Sequence, residues 1–268
     1  MAVALRPAPL APPLKWAGGK RWLVPHLLPL WSGHEGCRLV EPFVGGLAVT
    51  LGLQPQRALL NDLNPHLIAF YKQLQSGLDL KRTKIETLND RAVYTNNRER
   101  FNELVAQGKE QSEEAAALFY YLNRTGYNGL CRFNAKGVFN VPFGRYKTIS
   151  YDRDLLQFKT ALRDYDFTCS DFETIALDDD DFVYADPPYD VEFTSYFAGG
   201  FSWDDQKRLA KWLAQHRGPV VASNQATPRI LKLYRSLGFK TQVVPAPRRI
   251  SCDGNRDDAK EMIAVRNL

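Results

Sequence analysis

The run Phe182-Val183-Tyr184-Ala185, followed at once by Asp186-Pro187-Pro188-Tyr189, constrains this chain more than any other stretch. Consecutive apolar residues read as a buried strand. The two prolines after the carboxylate cannot extend a sheet ladder, so the strand must end in a rigid, extended turn. Such a turn offers three groups together: the Asp186 carboxylate, the Pro187 carbonyl, which no following N–H can easily claim, and the aromatic face of Tyr189. Two acceptors beside a ring suit a flat heterocycle with an exocyclic amine, the way a base taken out of its stack is held. The same residues also read as an ordinary strand end with a solvated aspartate and a packed tyrosine. The neighbouring segments decide between the two.

A short strand from Cys37 to Glu41, the loop Pro42-Phe43-Val44-Gly45-Gly46 and an apolar helix from Leu47 to about Leu53 form a nucleotide-site pattern. In that pattern glycines admit the ligand and the helix N-terminus faces it. A second short strand, Ala58 to Leu60, ends in Asn61-Asp62, where an acid is placed to accept from ribose hydroxyls. The glycines are too few for a dinucleotide fingerprint, which favours a single-nucleoside cofactor. Upstream, Leu14-Lys15-Trp16-Ala17-Gly18-Gly19-Lys20 puts two glycines between two lysines, so the backbone can approach a carboxylate-bearing ligand closely. A plain Gly-Gly turn reads equally well there. Helical apolar spacing follows from Trp22 to Leu30.

From Asn64 to about Asn123 the pattern is helical: His66 to Leu74 stops at Gly77, Asn97 to Gln107 stops at Gly108, and Ser112 caps a run through Leu122. Cys131-Arg132-Phe133 and Val138 to Val141 flank Asn134-Ala135-Lys136-Gly137, which reads as a β-hairpin. A helix from Asp152 to Arg163 and a strand near Phe167 to Ser170 then lead back to the run ending at Asp186. Ser202 opens a helix ending before Gly218, Val220 to Ala222 is a strand, and Pro228 opens a helix that stops at Gly238. Phe239 to Val244 and Met262 to Val265 read as a closing antiparallel pair. The sum is an α/β fold with a doubly wound, mostly parallel sheet and an inserted helical domain that carries the hairpin. The expected division is a flexible tail over 1–13, a catalytic domain over 14–63 and 151–268, and the insertion over 64–150.

Charged residues at 24% and hydrophobics at 44% of 268 residues suit an ordered globular protein. No apolar run is long enough to span a bilayer, and the start is broken by Arg6 and several prolines, so a cytoplasmic, membrane-free protein is expected. Cys37, Cys131, Cys169 and Cys252 are scattered without a paired motif or clustered histidine, so neither a disulfide framework nor a metal site is expected. The net charge of +5 says little, but its distribution says more. From Tyr121 to Ile149 the cations Arg124, Arg132, Lys136, Arg145 and Lys147 stand among Tyr127, Phe133, Phe139, Phe143 and Tyr146 with no acid. That stretch reads as a nucleic-acid surface, or as a solvated hairpin with chance charge.

Taken in order, the chain resembles the Dam-type (D12 class) DNA adenine N6-methyltransferases from Leu14 to Val265. The matching segments are LKWAGGK at 14–20, EPFVGG at 41–46, Asn61-Asp62, YLNRTGYNGLCRFN at 121–134, FNVPFGRY at 139–146, DPPY at 186–189, Ser223-Asn224 and RRIS at 248–251. The resemblance implies the S-adenosylmethionine-dependent methyltransferase fold, S-adenosyl-L-methionine as cofactor, and adenine in double-stranded DNA as substrate, with GATC as the site. By similarity Trp16, Lys20, Phe43, Gly45, Asp62 and Asp186 line the cofactor pocket, while Asp186, Pro187 and Tyr189 hold a flipped adenine. Lys15 is implied for the outer guanine, and Arg132 for a guanine edge. Leu130 and Pro142 are implied for a thymine methyl, Tyr127 and Asn128 for the gap left by the base, and Arg145 and Tyr146 for phosphates. Leu47 stands where the family often has a second spaced glycine, which leaves the loop geometry open. Rival readings are the same chemistry on another DNA site, on RNA or on a protein glutamine, and a DNA-binding regulator that keeps the fold alone. A monomer is expected, either standing alone or partnering a restriction nuclease.

Overall fold

The computed structural model describes residues 9–149, 154–189, 200–247 and 259–268. Cys252 and the segment at 248–251 lie outside these residues, as does most of the expected tail. The strands are β1 (Leu39–Glu41), β2 (Ala58–Asn61), β3 (Tyr165–Thr168), β4 (Phe182–Ala185), β5 (Val220–Gln225), β6 (Lys240–Ala246) and β7 (Ala259–Arg266). They form one seven-stranded sheet in the order β3-β2-β1-β4-β5-β7-β6. The first five in that order run parallel, and β7 is antiparallel to both β5 and β6.

The central strands are apolar on both faces because both faces are covered. Leu39, Phe182, Tyr184, Val221 and Ile263 enter one buried cluster, while their neighbours Val40, Val183, Ala185, Val220, Ala222, Met262 and Ala264 enter the other. This period of two splits a continuous hydrophobic run between two layers of helix. The first layer holds α1 (Val24–Trp31), α2 (Ala48–Leu53), α3 (Pro65–Ser76), α5 (Arg91–Ala106), α6 (Glu113–Thr125) and the short α7 (Leu156–Ala161), with α4 (Leu80–Thr83) beside it. The second holds α8 (Trp203–Gln215) and α9 (Pro228–Ser236). Chain order reverses between β1 and β4, so the loops after these two strands open onto one crevice, where open α/β sheets bind their ligands.

Helix starts follow local chemistry. Asn64 accepts from the N–H groups of His66 and Leu67, Ser112 from Ala115, and Ser202 forms a reciprocal capping box with Asp205. One start lies earlier than the apolar spacing suggests: Asp90 caps α5 through Ala92 and Val93, so the helix begins at Arg91 rather than near Asn97. The strand expected at Val220 to Ala222 runs on to Gln225, because β7 pairs with it along that whole length.

The expected β-hairpin forms as a short one. Phe133 and Phe139 make an antiparallel bridge flanked by backbone bonds from the Asn134 N–H to the Val138 carbonyl at 2.9 Å and from the Asn140 N–H to the Arg132 carbonyl at 3.3 Å, and Gly126 and Phe143 make a second, isolated bridge. Side chains of α5 take the backbone groups of the second arm that face away from the first. Asn102 accepts the Phe139 N–H at 2.8 Å and donates to the Phe139 carbonyl at 3.1 Å, and Tyr94 donates to the Val141 carbonyl at 2.8 Å. These bonds dock the second arm onto α5 and satisfy the edge that the hairpin itself leaves unpaired.

Candidate active site and DNA-facing surface

The proline turn after β4 does not leave Asp186 solvated. Ser223 of β5 donates to Asp186 Oδ1 at 2.9 Å, and the Lys20 ammonium sits 2.9 Å from Oδ2. Tyr184 bonds the Ser223 hydroxyl at 2.8 Å, completing a chain that ends on the carboxylate. Burial pushes the Asp186 carboxyl upward, opposed by the Lys20 charge and by hydrogen bonds from Lys20 and Ser223. Pro188 is fixed from α8: Gln206 donates to its carbonyl at 2.8 Å and is itself held by Asn224 at 3.0 Å. Among the described residues no donor reaches the Pro187 carbonyl. Two acceptors therefore follow one another at the end of β4, one of them without a partner among the described residues.

The Tyr189 hydroxyl is turned back into the protein, 2.7 and 2.6 Å from the two oxygens of Glu261 on β7. Lys20 lies 4.7 Å over the centre of its ring and 3.6 Å from Glu261 Oε1. Lys20 is 4% exposed and also donates to the Gly18 carbonyl at 3.0 Å. Sequence reasoning assigned Lys20 to the cofactor pocket together with Asp186; the fold sets it between Asp186 and a second carboxylate, Glu261. Glu261, with burial and the Asp186 charge pushing its carboxyl up to about 7 and Lys20 pulling it back, was missed altogether. An acid in the last strand carries no local signal of what the strand pairs with.

The loop after β1 is built around Trp16. A Cβ added at Gly45 would lie 2.8 Å from the indole nitrogen, and one at Gly46 2.8 Å from the Trp16 Cβ, so these glycines admit a side chain of the protein. Leu47, where a second spaced glycine is common, takes the left-handed conformation at φ 65° with its side chain fully buried. Asp62 braces the loop, accepting from the Gly45 N–H at 3.1 Å through one oxygen and from the Asn64 N–H at 3.0 Å through the other. Burial lifts its carboxyl to about 6 against those two bonds. Tyr71 donates to the Gly45 carbonyl at 2.6 Å from beneath. Phe43 meets Phe201 edge-on at 5.6 Å, and Leu63, next to Asp62, is 54% exposed. At the start of the loop, Thr50 donates to the fully buried Glu41, whose carboxyl is pushed up to about 8 by burial.

Asn123 near the end of α6 joins this half to the basic stretch. Its amide accepts the Lys15 N–H at 2.8 Å and donates to the Lys15 carbonyl at 2.8 Å and the Gly129 carbonyl at 3.0 Å. Gly129 has φ 62°, and a Cβ there would meet the Lys15 Cβ at 2.3 Å. The Lys15 ammonium donates to the Arg124 carbonyl at 3.1 Å and lies 3.8 Å over the Tyr146 ring, and the Tyr146 hydroxyl donates to the Gly126 carbonyl at 3.2 Å. Burial and Arg124 pull the Lys15 pKa down. Both Lys15 and Tyr146, expected on guanine and phosphate, are thus engaged by the protein itself.

Tyr127, Asn128, Arg132, Pro142 and Arg145 are exposed, with Tyr127 and Asn128 on a tight turn beside Pro142, whose carbonyl accepts the Tyr127 N–H at 2.9 Å. Arg132 is steadied by Asn140 Oδ1 at 2.9 Å. Leu130 is half-buried against the core. Cys131 faces inward, takes a contact from Asn64 at 3.5 Å, and has its thiol pushed up to about 12 by burial. Among the described residues no group of His, Cys, Asp or Glu could hold a metal ion, and no helix is long and apolar enough to cross a membrane.

A doubly wound sheet whose first loop is braced by a carboxylate, beside a proline turn carrying two acceptors, is an α/β fold with a candidate site at its switch point, and the sequence comparisons give it the class of a methyltransferase. Residues 16–250 match the model of the D12 class N6 adenine-specific DNA methyltransferases, and the chain belongs to that family. It is 40% identical over 276 residues to a DNA adenine methylase of Vibrio cholerae, covering 94% of each chain. It is 38% identical over 267 residues to the retron Ec67 DNA adenine methylase of Escherichia coli, covering 94% of this chain and 90% of that one. The DNA N-6-adenine-methyltransferase of Escherichia phage P1 is 37% identical over 94% of this chain, which matches 35% of that longer protein. The protein is accordingly a DNA adenine methyltransferase that modifies N6.

Proposed function

We propose that the protein transfers the methyl group of S-adenosyl-L-methionine to N6 of an adenine extruded from duplex DNA, within GATC. The reading is carried by the Pro187 carbonyl, which has no partner among the described residues, next to the Asp186 carboxylate, a pair of acceptors suited to the two hydrogens of one amino group. The residues around the first loop suit the donor. Asp62 uses one lone pair on each oxygen for backbone N–H groups and retains acceptor capacity for ribose hydroxyls. Exposed Leu63 offers apolar surface beside it. Trp16, Phe43 and Gly45 shape the wall, and Lys20 closes it next to Asp186. When bound, the donor supplies an electrophilic methyl on a sulfonium.

The chain's own contribution is placement and electrostatics. Asp186 and the Pro187 carbonyl orient N6 so that its lone pair faces the methyl carbon, and the base stacks on Tyr189. The donor would supply the methyl and its sulfur would be the leaving group, while Asp186 holds the N6 hydrogen that must depart as a proton. Burial raises the proton affinity of that carboxylate, which favours this exit. Residues 64–150 serve as the target-recognition region: Arg132 reads a guanine edge, Leu130 and Pro142 meet a thymine methyl, and Tyr127 and Asn128 fill the gap left by the base. Lys15 reaches the outer guanine, and Arg145 and Tyr146 hold phosphates, once duplex replaces the internal partners of Lys15 and Tyr146.

The test is incubation with labelled S-adenosylmethionine and matched duplexes with GATC, with its adenine replaced, or with other adenine-containing sites, alongside RNA of the same sequence. Label confined to the adenine of GATC duplex is expected. Equal label on all adenine sites would refute the site, and label on RNA alone would refute the substrate.

A further inference from the structure

Glu261 is 2% exposed on β7, opposite Gln225 of β5 and Val244 of β6. A carboxylate taken out of water needs compensating partners, or an apolar residue would serve the fold better. Among the described residues, the partners of its side chain are two: the Tyr189 hydroxyl and the Lys20 ammonium at 3.6 Å. Neither holds the sheet together. Both touch the proposed site, Tyr189 as its stacking ring and Lys20 as the cation on Asp186.

We infer that Glu261 is a positioning residue for the methyl transfer, pinning the Tyr189 ring by its hydroxyl and drawing Lys20 partly away from Asp186. The inference rests on the proposed stacking of the adenine on Tyr189. The ring is anchored at its backbone end by the rigid Asp186-Pro187-Pro188 turn, and Glu261 supplies the second anchor. Two anchored ends fix the long axis of the ring, the Lys20 ammonium 4.7 Å over its face opposes rotation about that axis, and a ring held in both respects is what a stacked base requires. The effect on Lys20 is electrostatic. One ammonium shared between two carboxylates neutralises each incompletely, so Asp186 keeps the negative character needed to accept from N6.

The charge on Glu261 is set within this cluster. The titratable groups around it are Lys20, Asp186, Tyr189 and, behind them on β4, Tyr184; its cross-strand neighbours Gln225 and Val244 do not titrate. Its carboxyl is pushed up to about 7, so it loses its proton close to neutrality and the charge-assisted bond to Tyr189 strengthens as pH rises.

The experiment measures single-turnover methylation of a GATC duplex against pH for the full chain, Glu261→Gln, Tyr189→Phe and the double variant. Donor binding and the fluorescence of 2-aminopurine at the target position are recorded alongside. The wild-type rate is expected to rise through about pH 7. Glu261→Gln should lose that rise and run about tenfold slower, the scale of a lost charge-assisted hydrogen bond, with donor affinity within about twofold. Tyr189→Phe should lose a similar factor, and the double variant should be no slower than the slower single one, because both remove one bond. Multiplying effects, or a Glu261→Gln enzyme with wild-type rate and profile, would overturn the assignment. Should Glu261→Gln fail to fold, Tyr189→Phe still decides, since a wild-type rate without the hydroxyl excludes the clamp. The underlying reading fails separately: a wild-type enzyme that gives no 2-aminopurine signal and no label in DNA refutes base extrusion, whatever Glu261 does.

Discussion

Replacing Glu41 by Gln should make the protein more stable at alkaline pH and leave it almost unchanged at acid pH. The Glu41 side chain is fully buried at the end of β1, its carboxyl accepts from Thr50, and burial raises its pKa from 4.5 to about 8. A carboxyl with a raised folded-state pKa binds its proton more tightly in the native state than in the unfolded chain. The resulting stability is fully present below pH 4.5 and is lost as pH rises through about 8. At about 1.4 kcal/mol per tenfold change in proton affinity, the full span corresponds to about 5 kcal/mol, an upper bound because water entering the loop would reduce it. Gln keeps a carbonyl acceptor for Thr50 and cannot ionise, so the variant should lack this pH dependence. Urea unfolding at pH 5, 7 and 9 reads it directly: the variant should gain on wild type by at least about 2 kcal/mol between the extremes. A stability difference that stays constant across that range would refute the argument and show that Glu41 ionises in place without penalty.

Asp186→Ala should abolish methylation while leaving duplex binding intact or tighter, since it frees the Lys20 cation; measurable turnover in a single-turnover assay would defeat the assignment. Arg132→Ala should weaken binding to the proper site by about 1–3 kcal/mol and far less to a substituted one, whereas an equal loss on every sequence, read by competition binding, would mark a phosphate contact. Asn123→Ala removes the amide that satisfies Lys15 and Gly129 and should destabilise the fold by about 2–4 kcal/mol in urea; a loss below about 1 kcal/mol would mean that water replaces the side chain.

Much of this architecture was legible because the signals are local. The prolines after Ala185 end β4 wherever the rest of the chain goes, and Asn64, Ser112 and Ser202 cap their helices with their own side chains. The apolar runs on the central strands announce a sheet covered on both faces, and the spacing of strands and helices announces a mostly parallel one. Pro187 and Asp186 stand together because they are neighbours in the chain, so the acceptor pair could be read without coordinates.

Tertiary structure decided the partners of those groups. The hairpin at 131–141 was legible in its own turn, but its docking depends on Asn102 and Tyr94 reaching across from α5, and no pattern inside the segment records that. Gly45 and Gly46 read as room for a ligand, and only the fold shows that Trp16, from a distant segment, lies against both. Lys20, Asp186 and Glu261 come from the start, the middle and the last strand of the chain, and only the antiparallel insertion of β7 beside β5 brings the third to the other two. Turns, caps and burial patterns are properties of a few adjacent residues. The charge state of a buried carboxylate belongs to whatever the fold packs around it.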